Sequence, residues 1–227
     1  MKSVAVILSG SGVYDGSEIH ESVLTLLALE EQGIAYKCFA PNVKQYHVVN
    51  HLNGEEMNET RNVLIESARI ARGDIQDLSA LNPDAFHGLV IPGGFGTAKN
   101  HTTWAFNGPA GDIHPEVKSA ILNFSKKRKA ILAMCMAPTT VAKALEGSSI
   151  QAQLSVGTTT ENSPYEIDAI SQGMESIGAK AQMKSVREIS VDEAHKIISA
   201  PCYMMQASLL EVRENIQHAM KELKAML

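Results

Sequence analysis

The sequence has no excess of basic residues and no long apolar run. Its 227 residues contain 20 Lys and Arg against 25 Asp and Glu, which gives a formal net charge of -5. Because no basic surface is available to hold a phosphate backbone, we expect no nucleic-acid partner. The longest apolar stretch, from Ala130 to Pro138, is far shorter than the roughly 20 residues that a membrane helix requires. We therefore expect no membrane partner either.

Cysteine is scarce and shows no paired spacing. The three cysteines are Cys38, Cys135 and Cys202, and an odd number without a pattern fits a reducing compartment better than a disulfide framework. The apolar segment from Val4 to Leu8 is too short for the core of a signal peptide. The cytoplasm is therefore the predicted location.

Linker-like, repeated and low-complexity segments are also missing, which predicts a single domain over residues 1–227. Apolar residues make up 44% of the chain and charged residues 20%. This balance is typical of a globular protein with a sizeable core.

Short apolar runs alternate with helical segments along the chain. Four runs have the length and composition of strands: Val4 to Leu8, Ala35 to Phe39, Gly88 to Ile91 and Ala130 to Met134. An amphipathic stretch that contains Ile19, Val23 and Leu27 separates the first two. Continuous rather than alternating hydrophobicity indicates strands covered by helices on both faces. The order predicts an open α/β sandwich with a mostly parallel sheet.

Other segments have weaker patterns, and residues 41–58 are predicted to be irregular. The remaining predicted elements are helices over Glu59 to Arg72, Pro115 to Arg128, Tyr165 to Ile177 and Met204 to Met226, and strands over Ala152 to Val156, Arg187 to Val191 and Lys196 to Ser199.

Cys135 lies where a buried strand passes directly into a helix. A nucleophile elbow needs small residues two positions before and after the nucleophile, and Ala133 and Ala137 stand there. The positive end of the following helix would favour the thiolate at neutral pH. The alternative is that Cys135 is a small buried apolar residue, and spacing alone does not separate the two. Cys38 and Cys202 lack the elbow context and are interpreted as core residues.

Glycines follow another strand at the edge where open α/β sheets bind ligands. This segment is Pro92-Gly-Gly-Phe-Gly96. The backbone amides of Gly94 and Met136 are candidates for an oxyanion hole, and an ordinary turn is the alternative.

Two further patterns carry little weight. Gly10, Gly12 and Gly16 are spaced one residue too widely for a dinucleotide fingerprint. His47 and His51 are four residues apart, but no third metal ligand accompanies them.

Several motifs resemble the ElbB/ES1 branch of the DJ-1/PfpI superfamily. They are Val6-Ile-Leu-Ser-Gly-Ser-Gly-Val-Tyr-Asp-Gly-Ser-Glu-Ile-His-Glu21, Arg61-Asn-Val-Leu64, Glu66-Ser-Ala-Arg-Ile-Ala-Arg-Gly73, Pro92-Gly-Gly-Phe-Gly-Thr-Ala-Lys-Asn100 and Met134-Cys-Met-Ala-Pro138. The resemblance extends over nearly the whole chain. It implies a flavodoxin-like three-layer sandwich related to class I glutamine amidotransferase domains.

The resemblance also implies a partner for the cysteine. In the superfamily a glutamate near the start of the first helix accompanies the elbow cysteine; Glu21 fits that position best, with Glu18 as the rival. The alternative is that both acids only complement the helix dipole.

The chain departs from the related patterns at two places. Ser11 replaces the cysteine that the branch usually has in its Ser-Gly-Cys-Gly motif. The amidotransferase pattern requires His followed by Pro near the end of the domain, where this chain has Ile198-Ser-Ala-Pro-Cys-Tyr203. We therefore expect no glutaminase activity of the Cys-His-Glu type, because the histidine of that triad is missing.

The resemblance implies a glyoxalase that needs no metal, glutathione or other cofactor. In this hypothesis Cys135 adds to glyoxal or methylglyoxal, Glu21 moves a proton, and water releases a 2-hydroxy acid. The alternatives are a redox-sensing or regulatory cysteine protein without turnover, and a hydrolase of amides or esters, which lacks a base. Because members of the family commonly form dimers, the resemblance also implies a homodimer.

Overall fold

The apolar runs become the middle of a seven-stranded sheet in the computed structural model, which describes residues 2–227. The seven strands of the sheet are β1 (Ser3–Ile7), β2 (Ala35–Ala40), β3 (Ile75–Asp77), β4 (Gly88–Ile91), β5 (Ala130–Met134), β8 (Ser190–Asp192) and β9 (Ile197–Ala200). Two further strands, β6 (Gln153–Gly157) and β7 (Lys180–Met183), form a separate pair. The predicted bounds of β4 and β5 are confirmed.

The sheet is parallel except at one edge. The strand order is β3-β2-β1-β4-β5-β9-β8, and β6 pairs only with β7. Val4 pairs with Gly88, Gly88 with Ala130, and Ile131 with Ile197, all in parallel register. Only β8 runs antiparallel, beside β9. The carboxyl ends of β1, β4 and β5 therefore meet at one edge of the sheet.

Helices cover the sheet on both sides, which confirms the predicted three-layer α/β fold. They are α1 (Ile19–Glu31), α2 (Val63–Ile70), α3 (Trp104–Asn107), α4 (Pro115–Lys126), α5 (Ala137–Leu145), α6 (Ile167–Ser176) and α7 (Leu209–Met226). Helix α1 packs against α7, and α4 packs against α5. Within residues 2–227, no helix has both the length and the apolar character needed to cross a bilayer.

The apolar residues that identify α1 as amphipathic do not face the core. Ile19, Val23 and Leu27 are 46%, 49% and 44% exposed. The buried side of the helix instead carries Glu21, Ser22, Thr25, Ala28 and Leu29. Periodicity identifies a helix, but it does not show which side meets the rest of the protein when polar residues serve a buried site.

Several boundaries differ from the predicted ones. Helix α2 begins at Val63 because the Asn62 side chain accepts a hydrogen bond from the Ile65 amide and caps it. Helix α7 begins at Leu209, after a capping box made by Ser208 and Glu211. Strands β3 and β7 were not predicted, because they are short and polar and lack the continuous apolar pattern of the central strands.

Candidate active site

Cys135 occupies the sharp turn between β5 and α5. Its φ of 56° lies in the left-handed region that residues with a side chain rarely adopt. The Cys135 amide donates a 2.8 Å hydrogen bond to the Ala200 carbonyl of the neighbouring strand, which holds the turn. Such strain is a feature of functional sites when the surrounding structure fixes it.

The carboxyl group of Glu21 lies beside the thiol. Glu21 Oε1 accepts a 3.1 Å hydrogen bond from the Tyr203 amide. Glu21 Oε2 is buried without a partner of standard hydrogen-bond geometry, and the side chain it faces is that of Cys135. Gly93 makes this approach possible: a Cβ there would lie 2.2 Å from Cys135 Cβ and 2.4 Å from Glu21 Oε2.

The structure gives Glu18, the rival acid, a different position. Glu18 is the N-cap of α1, and its Oε2 accepts a 2.6 Å hydrogen bond from the Glu21 amide. The Glu18 amide in turn donates to the Gly93 carbonyl at 2.9 Å. Glu18 therefore fixes the start of the helix, while Glu21 presents its carboxyl group to the thiol.

Two backbone amides point at the Cys135 sulfur. They belong to Gly94 and Met136, the pair predicted as an oxyanion hole, and both act to lower the pKa of the thiol. Gly94 has a φ of 100°, and a Cβ at this position would lie 2.3 Å from the Glu18 nitrogen and the Gly16 oxygen. Only glycine allows the loop after β4 to approach α1 this closely.

Burial decides the charge of the pair. It raises the pKa of Glu21 to about 8, with a further contribution from the nearby charge of Glu18. Burial and the Glu21 charge also raise the pKa of Cys135 well above its ordinary value, against the two amides. The prediction that the positive end of the helix favours the Cys135 thiolate at neutral pH is therefore wrong, because desolvation outweighs the effect of the helix end.

Two tyrosines lie near the pair, which is itself buried. Cys135 is only 5% exposed. The Tyr165 hydroxyl lies within the electrostatic influence of both Cys135 and Glu21, and the Tyr165 ring meets the Phe95 ring edge-on at 5.5 Å. Tyr203 adds its hydroxyl, 3.0 Å from His20 Nδ1. These neighbours were not predicted, since isolated Tyr and His residues carry no local pattern.

Known proteins resemble this chain along most of its length. A human protein, "Glutamine amidotransferase-like class 1 domain-containing protein 3, mitochondrial", is 39% identical over 217 residues, covering 94% of this chain and 79% of the relative. The rat "ES1 protein homolog, mitochondrial" is 38% identical over 223 residues, covering 96% and 82%. The chain belongs to the ElbB/ES1 branch, as these relatives do. No protein-family model matches it.

Solved structures agree with this membership. An isoprenoid biosynthesis protein with an amidotransferase-like domain from Ehrlichia chaffeensis is 34% identical, covers 100% of this chain and 99% of its own, and superposes with a TM-score of 0.90. Drosophila melanogaster DJ-1beta, at 17% identity, covers 98% and 90% with a TM-score of 0.56 and shows the shared fold alone.

The relatives contradict the predicted cytoplasmic location. The rat, human and zebrafish relatives in this branch all carry "mitochondrial" in their names. Unpaired cysteines indicate only that a compartment is reducing, and the cytoplasm is not the only compartment that meets this condition. The cysteine pattern therefore could not distinguish one reducing compartment from another.

The segment that lacks the amidotransferase histidine still contributes to the site of this branch member. Tyr203 supplies the amide that binds Glu21 Oε1. Cys202 is fully buried, as predicted for a core residue, but its sulfur lies beside the Cys135 backbone amide. Cys38 is buried in β2, and burial raises its pKa to about 12.

The remaining sequence candidates lie in separate places. His51 Nε2 is 3.8 Å from Asp15, whereas His47 Nε2 is 3.9 Å from Glu56, so the two histidines have different acidic neighbours. Ser11 lines a groove beside the exposed side of α1.

Limiting iodoacetamide is expected to label Cys135 before Cys38 and Cys202, and faster at pH 9 than at pH 7. Cys135 is the most exposed of the three, and its sulfur faces two backbone amides, but burial raises the pKa of its thiol. Mass spectrometry of peptides after short exposures measures the order, with Cys135→Ser as the control. First labelling of Cys38 or Cys202 would contradict the description of the site.

Proposed function

We propose that this protein is a cofactor-independent glyoxalase that converts glyoxal or methylglyoxal to a 2-hydroxy acid. The observation that carries the proposal is the contact between the Cys135 thiol and the buried Glu21 carboxyl group across Gly93. The superfamily includes enzymes, and a nucleophile beside a proton acceptor is what addition to an aldehyde requires.

The first step is addition of Cys135 to the aldehyde carbon. A carbon–sulfur bond forms, the thiol proton passes to the Glu21 carboxylate, and the electron pair of the carbonyl moves to its oxygen. The amides of Gly94 and Met136 are placed to stabilise that oxyanion. Glu21 then returns its proton to the oxygen, which gives a neutral hemithioacetal.

The second step moves a proton between neighbouring carbons. The Glu21 carboxylate takes the hydrogen of the hemithioacetal carbon and returns it to the adjacent carbon through an enediol. The product is a thioester of Cys135, which water hydrolyses to the 2-hydroxy acid and the free thiol. The sum is addition of one water to the dicarbonyl, so no oxidant or metal is consumed.

The pKa of Glu21, about 8, suits this role. A general base works best when its pKa is close to the working pH, because it must both take and return the proton. An ordinary glutamate would hold the proton too weakly to return it efficiently.

A second candidate is a redox-sensing or regulatory protein without turnover, favoured by the position of Cys202 beside Cys135. A peroxide would oxidise the Cys135 thiol to a sulfenic acid, and the Cys202 thiol would displace water from it to form a disulfide. Hydrolysis of amides or esters has less support, because the segment Ile198-Ser-Ala-Pro-Cys-Tyr203 has no histidine where the amidotransferase pattern requires one.

Production of glycolate from glyoxal and of lactate from methylglyoxal tests the proposal. Wild-type protein in metal-free buffer is expected to form both acids, and Cys135→Ser protein serves as the blank. Product at the level of the blank would reject the glyoxalase. If peroxide then produced a disulfide between Cys135 and Cys202, the redox alternative would replace it.

A further inference from the structure

A second concave surface lies next to the candidate active site. We call it the aromatic cleft; it has a volume of about 530 Å³, and its walls include Tyr14, His47, Glu56, Phe95, Lys99 and Phe106. Phe95 joins the two places, because its ring lines the cleft while the preceding residue, Gly94, presents its amide to the Cys135 sulfur.

The cleft is larger than the proposed small substrates need. Its volume lies in the range of sites for drug-sized ligands, whereas methylglyoxal has only three carbons. Tyr14 and Phe106 are 40% and 41% exposed, and the Phe106 ring stacks on Tyr46 with centroids 4.3 Å apart. Exposed rings around one hollow favour a flat apolar ligand.

Lys99 supplies a positive charge to the cleft. Its Nζ donates a 2.8 Å hydrogen bond to the Tyr14 carbonyl and lies 5.6 Å from the centre of the Phe95 ring. Within residues 2–227, no carboxylate lies within 4.0 Å of this nitrogen. Burial lowers the pKa of Lys99, and the negative charges of Asp15 and Glu56 offset part of this effect.

The other charges near the cleft limit the ligand to a single negative charge. Glu56, a largely exposed residue, lies 3.9 Å from His47 and adds negative potential at the rim. Asp15 also acts on Lys99. One lysine opposed by two nearby carboxylates suits a singly charged ligand better than a doubly charged phosphate.

We propose that the aromatic cleft binds a flat aromatic carboxylate, with the ring against Phe95 and Phe106 and the carboxylate on Lys99. The cleft would then select larger carbonyl substrates for Cys135, such as arylglyoxals that carry an acid group. The selection of substrates rests on the proposed glyoxalase function, whereas the binding does not.

Calorimetric titration with naphthalene-2-carboxylate tests the binding without any turnover. We expect Cys135→Ser protein to bind this probe at least about tenfold more tightly than the neutral naphthalene-2-carboxamide. Adding Lys99→Met should remove that preference, and adding Lys221→Met, at an exposed lysine of α7, should leave it unchanged. Equal binding of acid and amide, or an unchanged preference in Lys99→Met, would overturn the proposal.

Kinetics test the selection of substrates. The ratio of kcat/KM for 4-carboxyphenylglyoxal to that for phenylglyoxal is expected to exceed ten in wild type and to approach one in Lys99→Met. A ratio near one in wild type would overturn the selection. Failure of both compounds to react, with binding of the naphthoate intact, would reject the glyoxalase and support the cleft as a binding site.

Discussion

Glu21→Gln is expected to lower kcat/KM for methylglyoxal by roughly 10²–10⁴-fold, the usual contribution of a general acid or base. Glutamine keeps the shape of the side chain and an oxygen for the Tyr203 amide, but it cannot take the thiol proton. In wild type, kcat/KM should rise with pH towards the Glu21 pKa of about 8, as the carboxylate form becomes available. A steady-state pH profile of both proteins measures this.

The same substitution is expected to stabilise the fold at alkaline pH. The folded pKa of Glu21 is about 8 and the ordinary pKa of a glutamate is 4.5, so the folded state keeps a proton that the unfolded chain loses. This contribution to stability is fully present below pH 4.5 and is lost as the pH rises to about 8. In this window the free energy of unfolding of the wild type falls by about 1.4 kcal/mol per pH unit because of Glu21. The total loss between pH 5 and pH 8 is roughly 4 kcal/mol.

Urea unfolding at pH 5 and pH 8 measures this change. The difference in free energy of unfolding between Glu21→Gln and wild type should be larger at pH 8. His101, whose pKa burial lowers to about 4, adds a pH dependence of opposite sign, but both proteins share it and it cancels. Glu175→Gln, at an exposed position of α6, is the matched control. An equal difference at the two pH values would contradict the buried, protonated Glu21.

Gly94→Ala is expected to lower the free energy of unfolding by roughly 4 kcal/mol or more. The added Cβ would lie 2.3 Å from two backbone atoms, the Glu18 nitrogen and the Gly16 oxygen, and neither can rotate away. The φ of 100° adds strain of its own. Turnover should fall as well, because the Gly94 amide cannot keep its position at the sulfur.

Gly178→Ala provides a matched control for the close approach. Gly178 has nearly the same φ, 101°, but a Cβ there has no atom within 4 Å. It should therefore cost only about 1–2 kcal/mol, the conformational strain alone. Chemical unfolding followed by circular dichroism compares the two variants. If the two variants lost similar amounts of unfolding free energy, close contact with α1 would not be the reason that residue 94 must be glycine.

Local sequence patterns were sufficient for the parts of the fold that depend on neighbours in the chain. The runs that became β4 and β5 are continuously apolar because both of their faces are covered. Ala133 and Ala137 indicated a sharp turn at Cys135, which its φ of 56° bears out. The resemblance to a family added Glu21, which no local pattern distinguished from Glu18.

The tertiary structure decided which groups meet and what charge they carry. Glu18 and Glu21 are one turn apart on the same helix, and only the approach of the Gly93 loop assigns one to capping and the other to the thiol. The sequence predicted a lowered pKa for Cys135, and the structure raises it. The helix dipole can be inferred from the chain alone, whereas desolvation depends on everything packed around the thiol. The aromatic cleft likewise brings together residues from distant segments, and a sequence cannot show such a surface until the chain has folded.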